Sequence, residues 1–332
     1  MKQLSICLAF IIFIGSIATG VRGQETPIRV GIVGLDTSHV IEFTRLLNDR
    51  ASPDYVPGAR VVAAYKGGSP DLEASATRIE GFTAQLRDKW QLEIVPDIPG
   101  LCSRVDAVLL SSVDGRVHLE QAKPILEAKK RVFIDKPLAA SFEDAQAIAR
   151  LAEAAGVTWF SSSGLRFHPA IQSLKRDARI GSIEGCDAYS PAPTEPHHPD
   201  LFWYGIHGVE ILFTLMGPGC QSVTRVSGPG TDLVVGRWQD GRLGTLRGIR
   251  SGKSGYGATV YGSQGIRVND PLTGSMYREL VQEIVKFFKT GVPPVPPSET
   301  LELFAFMQAA EISKARKGGE VSLSEVTGGL RR

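Results

Sequence analysis

Arg29-Val30-Gly31-Ile32-Val33-Gly34-Leu35-Asp36-Thr37-Ser38-His39 reads as an apolar β-branched strand that enters a glycine turn and leaves it as a helix. The helical part is carried by Val40, Ile41, Phe43, Leu46 and Leu47, which recur at a helical period. Strand, glycine and helix in immediate succession open the first βα unit of a dinucleotide-binding sheet. Measured against G-x-G-x-x-G, Gly34 takes the first place, Asp36 the second and His39 the third. The second glycine normally lets backbone N–H groups approach a pyrophosphate, so a carboxylate there adds bulk and a like charge. Asp36 fits such a turn only if it points away from the phosphates and caps the helix, with Thr37 and Ser38 supplying the phosphate hydrogen bonds.

Downstream of this unit, strands and helices alternate. Buried strands are predicted at 60–65, 105–110, 131–134 and 157–160. Helices are predicted around Leu72, Ala76 and Ile79, over 118–128, and over 138–155 with its start near Ser141. Such alternation requires parallel pairing with right-handed crossovers, which is an α/β doubly wound sheet. After Ser161 the pattern changes to one amphipathic helix at 170–178 and a series of Gly-punctuated strands. Gln239-Asp240-Gly241-Arg242 and Gly262-Ser263-Gln264-Gly265 supply hairpin turns. The second half is therefore expected to be an α+β domain with an open antiparallel sheet. The expected boundaries are 24–145 for the Rossmann-like domain and 146–332 for the second, with a final helix near 298–317 behind the stiff segment Val292-Pro293-Pro294-Val295-Pro296-Pro297.

Residues 1–23 carry one early cation, Lys2, an apolar run over 4–18, and small residues at Thr19, Gly20 and Gly23, the pattern of a secretory signal peptide. The run is shorter than a bilayer span, so no membrane association is expected after its removal, and the location expected is periplasmic or extracellular. Cys102, Cys186 and Cys220 then remain, an odd number at spacings that match neither a disulfide framework nor a zinc motif. The 332 residues are 42% hydrophobic and 22% charged with net charge +2, and no basic block interleaved with aromatics suggests nucleic acid.

Further pieces fall into an order that resembles the Gfo/Idh/MocA family, the relatives of glucose-fructose oxidoreductase and inositol 2-dehydrogenase. Arg131-Val132-Phe133-Ile134-Asp135-Lys136-Pro137-Leu138 is similar to its strand-end Glu-Lys-Pro motif, with Asp135 in place of Glu. Arg166-Phe167-His168-Pro169 stands at the entry to the second domain, and Gly205-Ile206-His207-Gly208-Val209-Glu210 resembles the catalytic-histidine helix. The resemblance implies a two-domain NADP- or NAD-dependent sugar or polyol dehydrogenase, a homodimer or homotetramer joined through the C-terminal sheet. It implies Lys136 and His207 as the catalytic pair. Around the cofactor it places Gly31, Gly34, Leu35, Asp36, Thr37, Ser38, His39, Lys66, Ser111, Ser112, His118 and Asp135. The chemistry agrees, because oxidising a secondary alcohol needs a base near neutral pH and a cation beside the developing alkoxide.

Two departures stand out. Trp203 occupies the position of the Asp that orients the family's histidine, and Lys66 stands where a carboxylate usually receives the ribose hydroxyls. A lysine at Lys66 would favour a 2'-phosphate. An exported member is expected to retain its nicotinamide cofactor tightly. Arg166, His168, His198, Asp200 and Trp203 are candidates for substrate binding, Trp203 by stacking on a sugar ring. Each has a plainer reading: Arg166 as an ion-pair member, His39 and His118 as helix N-terminal residues, and His207 as a satisfied core histidine. Glu195-Pro196-His197-His198-Pro199-Asp200 also contains metal-ligand residue types, which keeps a metal-assisted or redox-neutral lyase or hydratase open. The broken glycine motif keeps open a cofactor-free carbohydrate-binding protein.

Overall fold

The computed structural model describes residues 26–328, so the expected leader lies outside the described residues. The first domain runs β1 (Ile28–Val33), α1 (His39–Asn48), β2 (Ala59–Tyr65), α2 (Glu73–Ala76), α3 (Ile79–Trp90), β3 (Glu93–Val95), α4 (Ile98–Arg104), β4 (Ala107–Leu110), α5 (His118–Glu127), β5 (Arg131–Asp135), α6 (Phe142–Ala155) and β6 (Trp159–Ser162). The strands pair in the order β3-β2-β1-β4-β5-β6, every pair parallel. Alternation along the strands sends Val30, Ile32, Leu109, Phe133 and Phe160 into one core and Val33, Val108, Val132 and Ile134 into the other. Both faces are thus buried, each large apolar side chain contributing about 1.5–3 kcal/mol.

Three features of this domain differ from the sequence reading. The helix expected around Leu72 to Ile79 is split into α2 and α3. The β3–α4 unit was not anticipated, because Pro99 and Gly100 read as breakers; they sit in the first turn of α4, where Asp97 accepts a hydrogen bond from Gly100 N at 2.6 Å. The domain boundary at 145/146 is corrected as well. It falls inside α6, whose Ser141 cap accepts from Asp144 N as expected, and α6 must still return the chain to place β6 in the parallel sheet.

The second domain runs α7 (Pro169–Arg176), β7 (Ile183–Pro191), α8 (Ile206–Met216), β8 (Cys220–Gly228), β9 (Thr231–Trp238), β10 (Leu243–Ile249), β11 (Gly257–Gly262), β12 (Ile266–Val268), α9 (Arg278–Thr290), α10 (Pro297–Ala315), β13 (Val321–Ser322) and α11 (Leu323–Val326). Its sheet order is β12-β11-β7-β10-β9-β8-β13. The sheet is mixed rather than wholly antiparallel: β7 and β10 pair in parallel. The reason is α8, which returns the chain so that β8 starts in the direction of β7; two hairpins then bring β10 beside β7 in that same direction. α8 presses directly on this sheet, since a Cβ on Gly208 would lie 2.4 Å from Leu246 and 2.6 Å from Ser190.

The two halves share cores. Leu280, Val281, Ile284 and Phe287 of α9 complete the apolar cluster around Phe43, Phe133 and Phe160, with Phe287 edge-on to Phe160 at 5.1 Å. Cys102, Cys186 and Cys220 are buried free thiols. No helix among the described residues is long and apolar enough to cross a membrane.

Candidate active site

The turn after β1 is shaped by close approach. Gly34 has φ +85°, and a Cβ there would lie 2.5 Å from Ser112 Cα at the end of β4, so no other residue fits. Asp36 is fully buried and accepts hydrogen bonds from Ser75 Oγ at 2.6 Å and Val113 N at 2.9 Å. It therefore neither faces a pyrophosphate nor caps α1; it ties the turn to α2 and to the loop after β4. Asp36→Gly leaves both donors unpaired, and we expect it to lower stability by about 1–3 kcal/mol in urea unfolding without tightening nicotinamide nucleotide binding. A gain in nucleotide affinity would contradict this geometry.

With Asp36 turned inward, the N-terminus of α1 is left open. Ser38 is its cap residue but makes no side-chain capping bond, and Thr37, Ser38 and His39 line a cavity of about 290 Å³. The positive end of the helix dipole thus faces space that an anion can enter.

Across the cavity, β5 ends in Asp135-Lys136. The Asp135 carboxylate accepts from His39 Nδ1 at 2.5 Å and from Lys136 N at 2.8 Å. Burial alone would raise its pKa, but His39 and Lys136 outweigh burial and hold it below the usual carboxylate range. Lys136 Nζ lies 5.6 Å over the Tyr204 ring and has no carboxylate in contact among the described residues. Burial lowers its pKa, opposed by Asp135 and assisted by Arg78.

His207 reaches the same cavity from the first turn of α8, which follows a π-helical turn at Leu201–Gly205. Its Nδ1 lies 2.7 Å from Ser163 Oγ, and Tyr204 and Tyr256 pack around the ring at 4.9 and 5.9 Å. Burial, then the positive charges of Lys136 and His39, push its pKa well below the ordinary imidazole value, so the ring is neutral at pH 7. In the tautomer that donates Nδ1–H to Ser163, Nε2 carries the free lone pair. Ser163 thus fills the place of the orienting Asp that Trp203 displaced. It is itself held by Glu210, which accepts from Ser163 N at 3.1 Å.

The cavity brings together Thr37, Ser38, His39, Lys136, Trp203 and His207 from the sequence reading, and adds Arg78, Ser163, Tyr204, Tyr256 and Tyr277. Other candidates lie elsewhere. Gly31 is inside β1 against Leu101 of α4, and Leu35 is in the core. Lys66 pairs with Glu80 at 2.5 Å. Ser111 is buried, Ser112 Oγ donates to Gln121 at 2.8 Å, and His118 sits between the carbonyl oxygens of Ser112 (2.8 Å) and Leu138 (3.2 Å), bracing the loops beneath the site.

Four of the proposed substrate residues lie outside the cavity lining and contact other protein groups. Arg166 is a buried cation bound by Glu210 and Glu299, each at 2.6 Å. His168 caps α7 by accepting from Ala170 N at 3.2 Å. Asp200 pairs with Arg225 and Lys314, each at 2.5 Å. His198 lies between Glu195 at 2.9 Å and Asp114 at 3.2 Å, behind Trp203, which it touches ring to ring at 4.9 Å. All four make ion-pair or hydrogen-bond contacts within the protein, although Arg166 Nη2 and His198 Nε2 are buried without a hydrogen-bond partner among the described residues. His197 contacts Glu195 at 2.8 Å, so both adjacent histidines are engaged by neighbouring carboxylates.

Residues 28–163 match the sequence model of the Gfo/Idh/MocA group, described as an oxidoreductase family with an NAD-binding Rossmann fold. That match makes residues 28–163 an NAD-binding Rossmann domain of the Gfo/Idh/MocA oxidoreductase type. Among curated relatives, a myo-inositol 2-dehydrogenase of Thermotoga maritima is 24% identical over 273 residues, 68% of this chain and 81% of its own. Among solved structures, a probable dehydrogenase from Thermotoga maritima superposes with TM-score 0.74 at 22% identity, covering 90% of this chain and all of its own. The myo-inositol dehydrogenase of Lactobacillus casei in complex with NAD(H) and myo-inositol superposes with TM-score 0.70 at 18% identity, covering 90% and 97%. These likenesses extend the family's fold over the second domain.

The cofactor of this NAD-binding domain is a nicotinamide dinucleotide, and the residues present fit one. The uncapped N-terminus of α1, the tight Gly34 turn and the inward Asp36 leave a phosphate site free of negative charge. Thr37 and Ser38 would hold the phosphates there, and Lys136 lines the same cavity.

Proposed function

We propose that the protein oxidises a secondary alcohol of a sugar or polyol, with Lys136 and His207 as its catalytic residues. The observation that carries this reading is that the two side chains line one cavity, against aromatic walls, at the open N-terminus of α1. NAD or NADP supplies the hydride acceptor when bound. The neutral His207 accepts the hydroxyl proton at Nε2, and the Lys136 ammonium stabilises the developing alkoxide. Trp203, backed by His198, offers a flat apolar face to the C–H side of a sugar ring. The sugar and polyol class agrees with the myo-inositol dehydrogenases among the relatives.

The leader-like residues 1–23 add an export proposal, under which the cofactor travels with the protein rather than being drawn from solution. The deciding experiment denatures the purified protein, assays the supernatant for NAD and NADP, and titrates the native protein with NADH and NADPH. Near-stoichiometric release or micromolar binding is expected. Neither release nor binding of either nucleotide would overturn the dehydrogenase reading.

A further inference from the structure

The cavity holds cations and no carboxylate or amide side chain. Arg78, on the turn between α2 and α3, lines it together with Lys136. The only contact of the Arg78 guanidinium is from Nε to the carbonyl oxygen of Ala74, which leaves both terminal NH2 groups without a protein partner among the described residues. Lys136 Nζ likewise has no hydrogen bond or ion pair, and Arg78 lies within electrostatic reach of it. Elsewhere the partly or fully buried arginines are committed: Arg116 to Asp71 and Asp114, Arg166 to Glu210 and Glu299, Arg225 to Asp200, Asp232 and Glu311. No Asp, Glu, Asn or Gln lines the cavity at all. The one carboxylate near Lys136, Asp135, lies beneath it and is taken by His39.

The hydroxyls and the neutral His207 can serve the hydroxyl groups of a polyol, but they leave the charge of Arg78 and Lys136 without a counter-ion inside the cavity. Two unpaired cations facing one enclosed space are unfavourable together and become favourable when an anion enters. A guanidinium with two free NH2 groups is shaped for the two oxygens of a carboxylate. Arg78 and Lys136 line one cavity, beside the Thr37 and Ser38 positions that the phosphates of a dinucleotide would take.

We propose that the substrate is a sugar acid, a secondary alcohol that also carries a carboxylate, and that Arg78 is the specificity-determining residue that holds this carboxylate. This rests on the dehydrogenase reading for its chemistry, but its recognition step is tested without turnover. Calorimetry on the full chain compares D-glucuronate and D-gluconate with D-glucose and myo-inositol, for wild type, Arg78→Gln and Arg78→Lys. In parallel, NADH and NADPH titrations of the same proteins report on phosphate binding. The acids are expected to bind wild type at least ~10-fold more tightly than the neutral compounds. Arg78→Gln should abolish that preference while nucleotide affinity stays within about twofold, and Arg78→Lys should keep part of it. Equal binding of acids and neutral compounds by wild type would overturn the proposal. So would a loss of nucleotide affinity in Arg78→Gln with the acid preference intact, which would make Arg78 a ligand of the cofactor's phosphates. A protein that prefers acids but binds neither nucleotide would support Arg78 and overturn the dehydrogenase reading instead, so the two failures are distinguishable.

Discussion

Lys136→Met is expected to lower kcat by ~10²–10⁴-fold while leaving the protein folded and able to bind nucleotide. The substitution keeps the length and the apolar stem and removes only the ammonium. Because Lys136 has no ion-pair partner, its loss strands no buried carboxylate: Asp135 keeps the His39 ring at 2.5 Å. The fold therefore has no reason to suffer, and thermal melting should move by no more than a few degrees. The alkoxide, in contrast, loses the only ammonium among the described residues that line the cavity. The measurement is kcat on the best available substrate together with melting temperature and NADH or NADPH binding. A rate close to wild type would remove Lys136 from the mechanism; a collapsed melting temperature would show that it is structural.

How much of this was legible in the sequence depends on how local each signal is. The β1 turn could be read because strand, glycine and helix are contiguous, and Asp135-Lys136-Pro137 because a strand end places its side chains at the mouth of a parallel sheet. Lys136, His207 and Trp203 come instead from the family resemblance, and all three line one cavity with the Thr37 to His39 turn. Long-range pairing was not readable. Arg166 looks like a substrate ligand until Glu299, 133 residues later, is brought against it, and Asp200 until Lys314 arrives from 114 residues away. Polar residues near a cleft were thus over-assigned to the ligand, because nothing local says that the fold will satisfy them first.

The opposite error concerns Ser163, Tyr256 and Arg78, which belong to no motif and reach the cavity from a strand end, a loop and an interhelical turn. Ser163 carries the clearest lesson. The absence of an orienting carboxylate before His207 was correctly noticed, yet its substitute lies 44 residues upstream, on the segment that follows β6. A hydroxyl could take over that task only because Glu210 and Arg166 already fix its backbone. The glycine motif teaches the same thing in reverse. Asp36 looked like an obstacle to phosphate because its side-chain direction could not be read, whereas in the fold it is a buried tie whose acceptors are used inward.

His207→Ala should also cost ~10²–10⁴-fold in turnover, and the pH profile distinguishes its role from that of a packing residue. As a base, His207 works when deprotonated, so the rate of alcohol oxidation falls as pH drops through its pKa. Burial, Lys136 and His39 all disfavour the imidazolium, while the groups that surround the ring, the Ser163 hydroxyl and the phenols of Tyr204 and Tyr256, bring no negative charge at neutral pH to restore it. The acid limb of kcat/KM is therefore expected below the ~6.5 of a free imidazole, leaving the wild-type profile flat through pH 6.5. In His207→Ala that limb disappears from the residual rate. Ser163→Ala keeps the base but loosens its ring, so it should lower kcat by a smaller factor, on the order of tenfold, and leave the limb visible. Lys136→Met removes one of the two cations that oppose protonation, and the His207 resonance followed by NMR should then titrate at higher pH than in wild type. An acid limb that persists unchanged in His207→Ala would assign the proton to another group, and a ring whose titration ignores Lys136 would place the two side chains too far apart to share one alcohol.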